Sequence, residues 1–502
     1  MDDTVAAYLD RYNVSEAALR FLAKPHKIFI DGAWSETASG ATLDVIEPST
    51  EGMITSIQAG ASADVDRAVA AARAAFDSGP WRKMKPLERE RLLFKLADLL
   101  EEHASELAEI ESIDVGKSVI QARDVDIAGT IDTFRYFAGW ASKIHGRTAQ
   151  PSIPGNYVAF TRKEPVGVVG VIVPWNFPLQ TLAWKLGAAL AVGCTVVVKP
   201  AELTSLSTLR FAELVQDAGI PNGVVNVVTG AGRTVGAPIT SHPGIDKVTF
   251  TGSTESGRAV GAAALAGMRR LTLELGGKSP VLVLDDADLE AAAKGVANGV
   301  FFNSGQVCDG GTRVYVQRGV HDAFMKELIK VTSELKIAPG LDPDCFISPL
   351  VSARQRNSVA GYIETGKAEG AEIAYGGGRP SGAGYFIEPT IFTKCRSDMR
   401  IVREEIFGPV LVTAPFDDLE EAVQLANDTD YGLAAALYSN DLARVHNLIP
   451  QLRAGSVYVN AHSTIDPSMP FGGYKQSGFG RDLGPEQLDH LLETKAVWIT
   501  LP

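Results

Sequence analysis

Between residues 86 and 110 the apolar residues Leu92, Leu96, Leu99, Leu107 and Ile110 recur at helical spacing, with charges between them. That period predicts one amphipathic helix lying on a core. After Pro165 the pattern changes. The run VGVVGVIV, residues 166–173, is apolar throughout and rich in β-branched side chains, the pattern of a strand buried on both faces. TVVVKP (195–200), GVVNVV (223–228) and KVTF (247–250) repeat it. Helical patterns occupy 179–192, 205–218, 234–241 and 254–266. Such alternation builds βαβ units and a parallel sheet, with ligands bound beyond the carboxyl ends of its strands.

A second α/β stretch begins at PVLVLDDADL, read as a strand entering a helix. That helix runs from Leu289 through Val296 to Val300 and stops near 303–305. TRVYVQ (312–317) is the next strand. The segment GQVCDGGTR therefore places Cys308 on a short helix-to-strand connector, a common place for functional groups. Two glycine patterns follow strands: GAGRTVG, with Gly230, Gly232 and Gly236, and GSTESG, with Gly252 and Gly257. Neither is the G-x-G-x-x-G dinucleotide fingerprint.

Length and charge narrow the class. At 502 residues the chain has room for roughly two to four domains. Its formal net charge of −13 argues against a nucleic-acid partner, which needs a basic face. The four cysteines, Cys194, Cys308, Cys345 and Cys395, are far apart and form no C-x-x-C pair, so neither a metal site nor disulfides are expected. The first ten residues, MDDTVAAYLD, are acidic where a signal peptide is basic, and no long uncharged apolar stretch occurs. The expectation is a cytoplasmic protein without a membrane span.

Three residues could do chemistry. Cys194 sits in an apolar run and fits a buried structural thiol. Cys308 does not, because its neighbours are small and polar, and a thiolate is a strong nucleophile when activated. Glu274 interrupts the apolar strand in LTLELGGKSP; burial would raise its pKa and make it a usable general base, although a carboxylate bonded to backbone N–H groups fits equally well. Asn176, in VPWNFP, stands at the end of a buried strand. It could donate to an oxyanion or cap the next helix, and on local sequence alone the cap is the better reading.

The segments PWNFP, KPAELTSL, FTGST, LELGGKSP, GQVCDGGTR, EEIFGPV and PFGGYKQSGFGRD occur in this order and resemble the signature segments of the NAD(P)-dependent aldehyde dehydrogenase superfamily, from about residue 27 onward. The resemblance implies an α/β fold: a discontinuous Rossmann-type NAD-binding domain (1–141 and 166–277), an α/β catalytic domain (278–484) and a small β oligomerisation element (142–165 and 485–502). It implies Cys308 as nucleophile, Glu274 as general base, and Asn176 with the Cys308 N–H as oxyanion hole. Lys199 and Glu202 would hold the adenosine ribose, Ser253 the pyrophosphate, and Glu405 and Phe407 the nicotinamide ribose and ring. Ile172, Pro174, Trp175, Gly232 and Gly252 complete the cofactor set. NAD is expected over NADP, because a carboxylate at Glu202 repels a 2′-phosphate.

The tail from Tyr458 and the segment CDGGTR resemble the phenylacetaldehyde dehydrogenase branch. An arylacetaldehyde substrate follows, held by Phe177, Trp184, Asp309, Ile465, Met469 and Phe471. The alternatives are a broad medium-chain aliphatic aldehyde dehydrogenase and, in another class, a non-enzymatic binding or structural protein retaining the fold. Asp309 departs from the Ser, Thr, Ala or Cys frequent after the nucleophile; close to the thiolate it would raise the thiol pKa. No metal is expected, and the partner is a second copy of the chain, in a homodimer or homotetramer.

Overall fold

A computed structural model describes residues 1–502. Eight strands form the first large sheet, in the order Gly478–Phe479, Arg270–Glu274, Lys247–Thr251, Val168–Ile172, Thr195–Lys199, Val225–Val227, Ile28–Ile30, Ala33–Ser35. The five strands from Arg270–Glu274 to Val225–Val227 are mutually parallel. Their near-continuous burial, complete in Val168–Ile172 and Thr195–Lys199, explains the unbroken apolar runs, since helices cover both faces of such a sheet. From Val168–Ile172 the chain steps outward through two strands on one side, then returns to lay Lys247–Thr251 and Arg270–Glu274 on the other. The reversal leaves a crevice at the carboxyl ends of Val168–Ile172 and Lys247–Thr251, where open α/β sheets take ligands.

The second sheet has seven strands, in the order Glu372–Tyr375, Thr390–Thr393, Val410–Phe416, Arg313–Gln317, Pro280–Val283, Ala434–Tyr438, Ser456–Val459. All pairs are parallel except the first. After this sheet the chain sends Gly478–Phe479 back to pair with Arg270–Glu274, setting Gly478 opposite Glu274. Glu274 thereby lies where the two sheets meet. A third, antiparallel sheet joins Leu492–Thr500, Tyr157–Pro165 and Thr148–Ala149. No helix is long and apolar enough to cross a membrane.

The single helix expected over 86–110 is two, Pro86–Glu102 and Ala104–Val115, turning at His103 (φ −99°, ψ 15°). The buried stripe of the first is Leu93, Leu96, Ala97 and Leu100, one position from the expected Leu92 and Leu99, which are half-buried. The second is buried almost all round, and Glu106 pairs there with Arg210 at 2.8 Å. An amphipathic period cannot describe a helix enclosed on every side. Over the expected helix 234–241, a π-helical turn Gly232–Gly236 precedes the short helix Ala237–Ser241.

Candidate active site

A cavity of about 790 Å³ opens on segments from both large sheets. Beyond the first sheet's strands come Pro174, Trp175, Asn176 and Phe177, then Gly252 and Ser253, then Glu274. From the second half of the chain come Cys308, Asp309, Glu405, Phe407, Ile465 and Phe471. Asn176, Glu274 and Cys308, separated by 132 residues of chain at their extremes, thus line one space.

Cys308 reaches it through an abrupt turn. The helix Leu289–Phe301 stops at Phe302 (ψ 140°), and Asn303 (φ 46°), Ser304 (φ 54°) and Gly305 (φ 73°) follow in the left-handed region. For the two non-glycine residues this backbone costs about 1 kcal/mol or more each. Hydrogen bonds hold them: Asn303 N–H donates to Gln121 Oε1 (3.0 Å), and Ser304 Oγ–H to the Ser348 carbonyl (2.7 Å). At Gly305 a Cβ would fall 2.1 Å from the Gly408 carbonyl oxygen. At Gly311 a Cβ would meet His462 at 2.3 Å, so Gly305 and Gly311 serve the close approach of backbone and side chain.

Asn176 does not cap the following helix. Its Nδ2 donates to the Gln306 carbonyl at 2.8 Å, two residues before Cys308, and its own carbonyl accepts from Asn303 Nδ2 at 3.1 Å. This ties the amide to the cysteine turn, and its second Nδ2–H has no protein acceptor.

Glu274 is 3 % exposed, and neither carboxylate oxygen has a hydrogen-bond partner. The backbone-bonded reading left open by the sequence is therefore not the arrangement found. Burial holds its pKa well above the usual carboxylate range; the charge of Asp482 adds to the shift, and Lys185 and Arg481 oppose it. Lys185 Nζ itself donates to Asp482 (2.7 Å) and Thr249 Oγ1 (3.2 Å). The Cys308 thiol is also raised well above its ordinary value, first by burial, then by Asp309, Glu405 and Glu274. Asp309 is buried, accepts the Tyr458 hydroxyl at 3.1 Å, and raises the thiol as the sequence leads one to expect.

Gly276 and Gly277, after Glu274, permit two further close approaches. A Cβ on Gly276 would lie 2.1 Å from Glu405 Oε2, and one on Gly277 2.4 Å from the Cys308 carbonyl oxygen. The Gly277 N–H donates to Glu405 Oε1 at 3.1 Å, and burial pushes Glu405 up to about 7. Glu405 Oε2 has no protein donor, which suits it to accept a ligand hydroxyl. Phe407 adopts φ 55° and meets Trp175 edge-on, ring centroids 5.2 Å apart.

Ile172, Lys199, Glu202 and Gly232 are not among the residues lining the cavity, which reaches Leu203, the residue after Glu202. Lys199 Nζ contacts Glu202 Oε2 at 3.1 Å, and Gly236 stands next to both Lys199 and Ile172. Burial would raise Glu202, but the Lys199 charge and a Gly232 N–H outweigh it, so its net shift is downward and it is an anionic acceptor. Ser253 caps the helix Thr254–Ala266 by accepting Ser256 N–H at 3.2 Å, and that helix start lines the cavity, where backbone N–H groups and the helix dipole favour anions. A carboxylate for ribose hydroxyls, a helix start for phosphates and a second carboxylate deep in the cavity fit a dinucleotide.

Phe177, Trp184, Ile465 and Phe471 line the cavity, but Met469 does not. The Met469 N–H closes a turn onto the Asp466 carbonyl (3.0 Å), which leaves its side chain 65 % exposed. Sequence reasoning missed Phe302, whose ring stacks on Phe177 at 6.2 Å and 6°. It also missed Lys117, fully buried, with Nζ 4.1 Å from the Phe177 ring centroid and 2.7 Å from Asp126. The FF pair six residues before Cys308 was a visible signal for Phe302; Lys117 had none, being brought in by tertiary packing.

Residues 34–497 match the aldehyde dehydrogenase family. An aldehyde dehydrogenase of Emericella nidulans is 46 % identical over 489 residues, covering 97 % of this chain and 98 % of its own. The structure of an aldehyde dehydrogenase from Bacillus cereus in complex with NAD+ superimposes with a TM-score of 0.95 at 46 % identity, covering 97 % of this chain and 99 % of that one. A P. syringae indole-3-acetaldehyde dehydrogenase, in complex with NAD+ and IAA, superimposes with a TM-score of 0.94 at 41 % identity, covering 97 % and 99 %.

Proposed function

This chain belongs to the aldehyde dehydrogenase family and oxidises an aldehyde with NAD, and we propose that its substrate is an arylacetaldehyde, phenylacetaldehyde or a close relative, converted to the carboxylic acid on Cys308. One observation carries the substrate reading. The space beside Cys308 is walled by the stacked pair Phe177 and Phe302 and by Trp184, tilted on Phe471 with ring centroids 5.1 Å apart. Flat aromatic walls suit a planar ring.

In this reading Cys308 gives up its thiol proton to Glu274, and thence to solvent, as its sulfur adds to the aldehyde carbon. The resulting alkoxide is held by the free N–H of Asn176 and the backbone N–H of Cys308. One such donor contributes about 3–4 kcal/mol to lowering the barrier. Bound NAD supplies the hydride acceptor. What then remains on Cys308 is a thioester. Glu274 takes a proton from water as the water oxygen adds to the thioester carbon; the C–S bond breaks, its electron pair stays on sulfur, and the acid leaves. Burial raises the basicity of this carboxylate, which favours its taking the proton. Glu202 supports NAD over NADP, its charge opposing a 2′-phosphate.

The eight-stranded sheet, apart from its edge strand Gly478–Phe479, forms the cofactor half of this proposal (1–141 and 166–277), and the seven-stranded sheet the catalytic half (278–484), which lends that edge strand. The three-stranded sheet (within 142–165 and 485–502) exposes Val158, Trp498 and Ile499, which supports pairing with a second copy of the chain in a homodimer or homotetramer. The test is NADH formation with phenylacetaldehyde, benzaldehyde, hexanal and betaine aldehyde, with Cys308→Ala as control. Phenylacetaldehyde should give the highest kcat/KM and the alanine variant none. A higher value for hexanal would replace this reading with that of a medium-chain aliphatic enzyme.

A further inference from the structure

The wall of the cavity beside Cys308 differs from the aromatic one. It carries Asp309 and His462. Asp309 is 2 % exposed, yet its carboxylate has one protein donor only, the Tyr458 hydroxyl on Oδ2; Oδ1 receives none. Oδ1 is not enclosed as the Glu274 oxygens are but is left open to the cavity, and a carboxylate this far from bulk water gains from further donors. The surroundings are built to keep it in place. Tyr458 comes from the strand Ser456–Val459, and the His462 ring tilts against the Tyr458 ring with centroids 5.7 Å apart. His462 is seated between Gly299 and Gly311, where a Cβ on either would fall 2.3 Å from a ring atom. Its Nε2 is buried without a partner.

None of the steps above uses Asp309, and a negative charge next to the nucleophile works against forming the thiolate. Its place in the cavity calls for a role in recognition.

We propose that Asp309 Oδ1 accepts a hydrogen bond from the substrate, so that the enzyme favours arylacetaldehydes whose ring bears a hydroxyl or an N–H over the same aldehyde without it. This rests on the arylacetaldehyde reading. Residue Asp309 is then a specificity-determining group, and the Tyr458 and His462 side chains are positioning residues that hold it.

The experiment measures kcat/KM for phenylacetaldehyde, its 3-hydroxy and 4-hydroxy derivatives and indole-3-acetaldehyde, on wild type, Asp309→Asn and Asp309→Ala. Only ratios within one protein are compared, because a change in thiol reactivity acts on all substrates alike and cancels. Wild type should favour at least one hydroxylated or N–H substrate roughly tenfold or more. In Asp309→Ala, which has no acceptor, that ratio should fall to about 1; in Asp309→Asn, whose amide oxygen still accepts, it should lie between. A wild-type ratio of 1 or less for every donor-bearing substrate, or a ratio unchanged in both variants, overturns the proposal. Hexanal and 6-hydroxyhexanal form a second arm. If hexanal outruns phenylacetaldehyde the arylacetaldehyde reading falls, and the Asp309-dependent ratio within the aliphatic pair then decides this proposal separately.

Discussion

Replacing Gly277 by alanine tests how tightly the nucleophile's backbone is located. The added Cβ would stand 2.4 Å from the Cys308 carbonyl oxygen, with the Leu433 Cβ at 3.2 Å and Ser279 Oγ at 3.5 Å closing its other sides. Ordinary contact begins at 3.4 Å, so the two segments must separate by about 1 Å. The Cys308 backbone is the side able to yield, because Gly277 is also anchored through its N–H to Glu405. A displacement of that size at reacting atoms costs about 100-fold in rate, or about 2.7 kcal/mol in the barrier. Overpacking should destabilise the fold by about 1–3 kcal/mol. The assay pairs kcat/KM for NADH formation with the rate of thiol alkylation by iodoacetamide, both below the variant's Tm. Gly361→Ala serves as control: no atom lies within 4 Å of its Cβ and it sits in the helix Ala353–Ala368, so full activity and about 0.5–1 kcal/mol of added stability are expected. A folded Gly277→Ala enzyme with wild-type kcat/KM would show that this contact does not locate Cys308.

Asn176→Ala should lower kcat by about 10²–10³-fold and leave Tm close to wild type, since the Gln306 carbonyl keeps Asn303 Nδ2 nearby at 3.5 Å; an unchanged kcat removes the amide from the oxyanion site. Glu274→Gln should give a stoichiometric burst of NADH followed by slow turnover, because acyl-enzyme forms but water is no longer activated, and loss of the burst would count against the base assignment. The same variant carries a stability prediction. The raised pKa of Glu274 means that the folded chain binds more protons than the unfolded one between the usual carboxylate range and that raised value. Stability contributed by this group therefore falls as pH rises through the window. The Tm advantage of Glu274→Gln should grow as pH rises above the usual carboxylate range, and a pH-independent difference would refute the burial argument. Glu202→Ser should raise the NADP/NAD ratio of kcat/KM, and an unchanged ratio would detach Glu202 from the ribose.

Local pattern marked the strands Val168–Ile172, Thr195–Lys199 and Lys247–Thr251 because a strand covered on both faces must be apolar at every position, whatever covers it. It also put Cys308 on a helix-to-strand connector, since the end of one periodicity and the start of another are local events. It failed at His103, where enclosure on all sides erases the amphipathic period, and at Met469, where a turn onto Asp466 directs the side chain to solvent.

The amino-acid order alone determined the strand segments, the family motifs and which residues carry reactive groups, since these depend on neighbours a few positions away. Only the tertiary structure decided what those groups meet. The amide of Asn176 bonds a carbonyl 130 residues on, the Glu274 carboxylate ends without a partner, and Asp309 finds Tyr458 149 residues away. The physical reason is that burial leaves a local periodic trace, whereas hydrogen-bond partners and pKa shifts depend on which distant segments the sheets bring together.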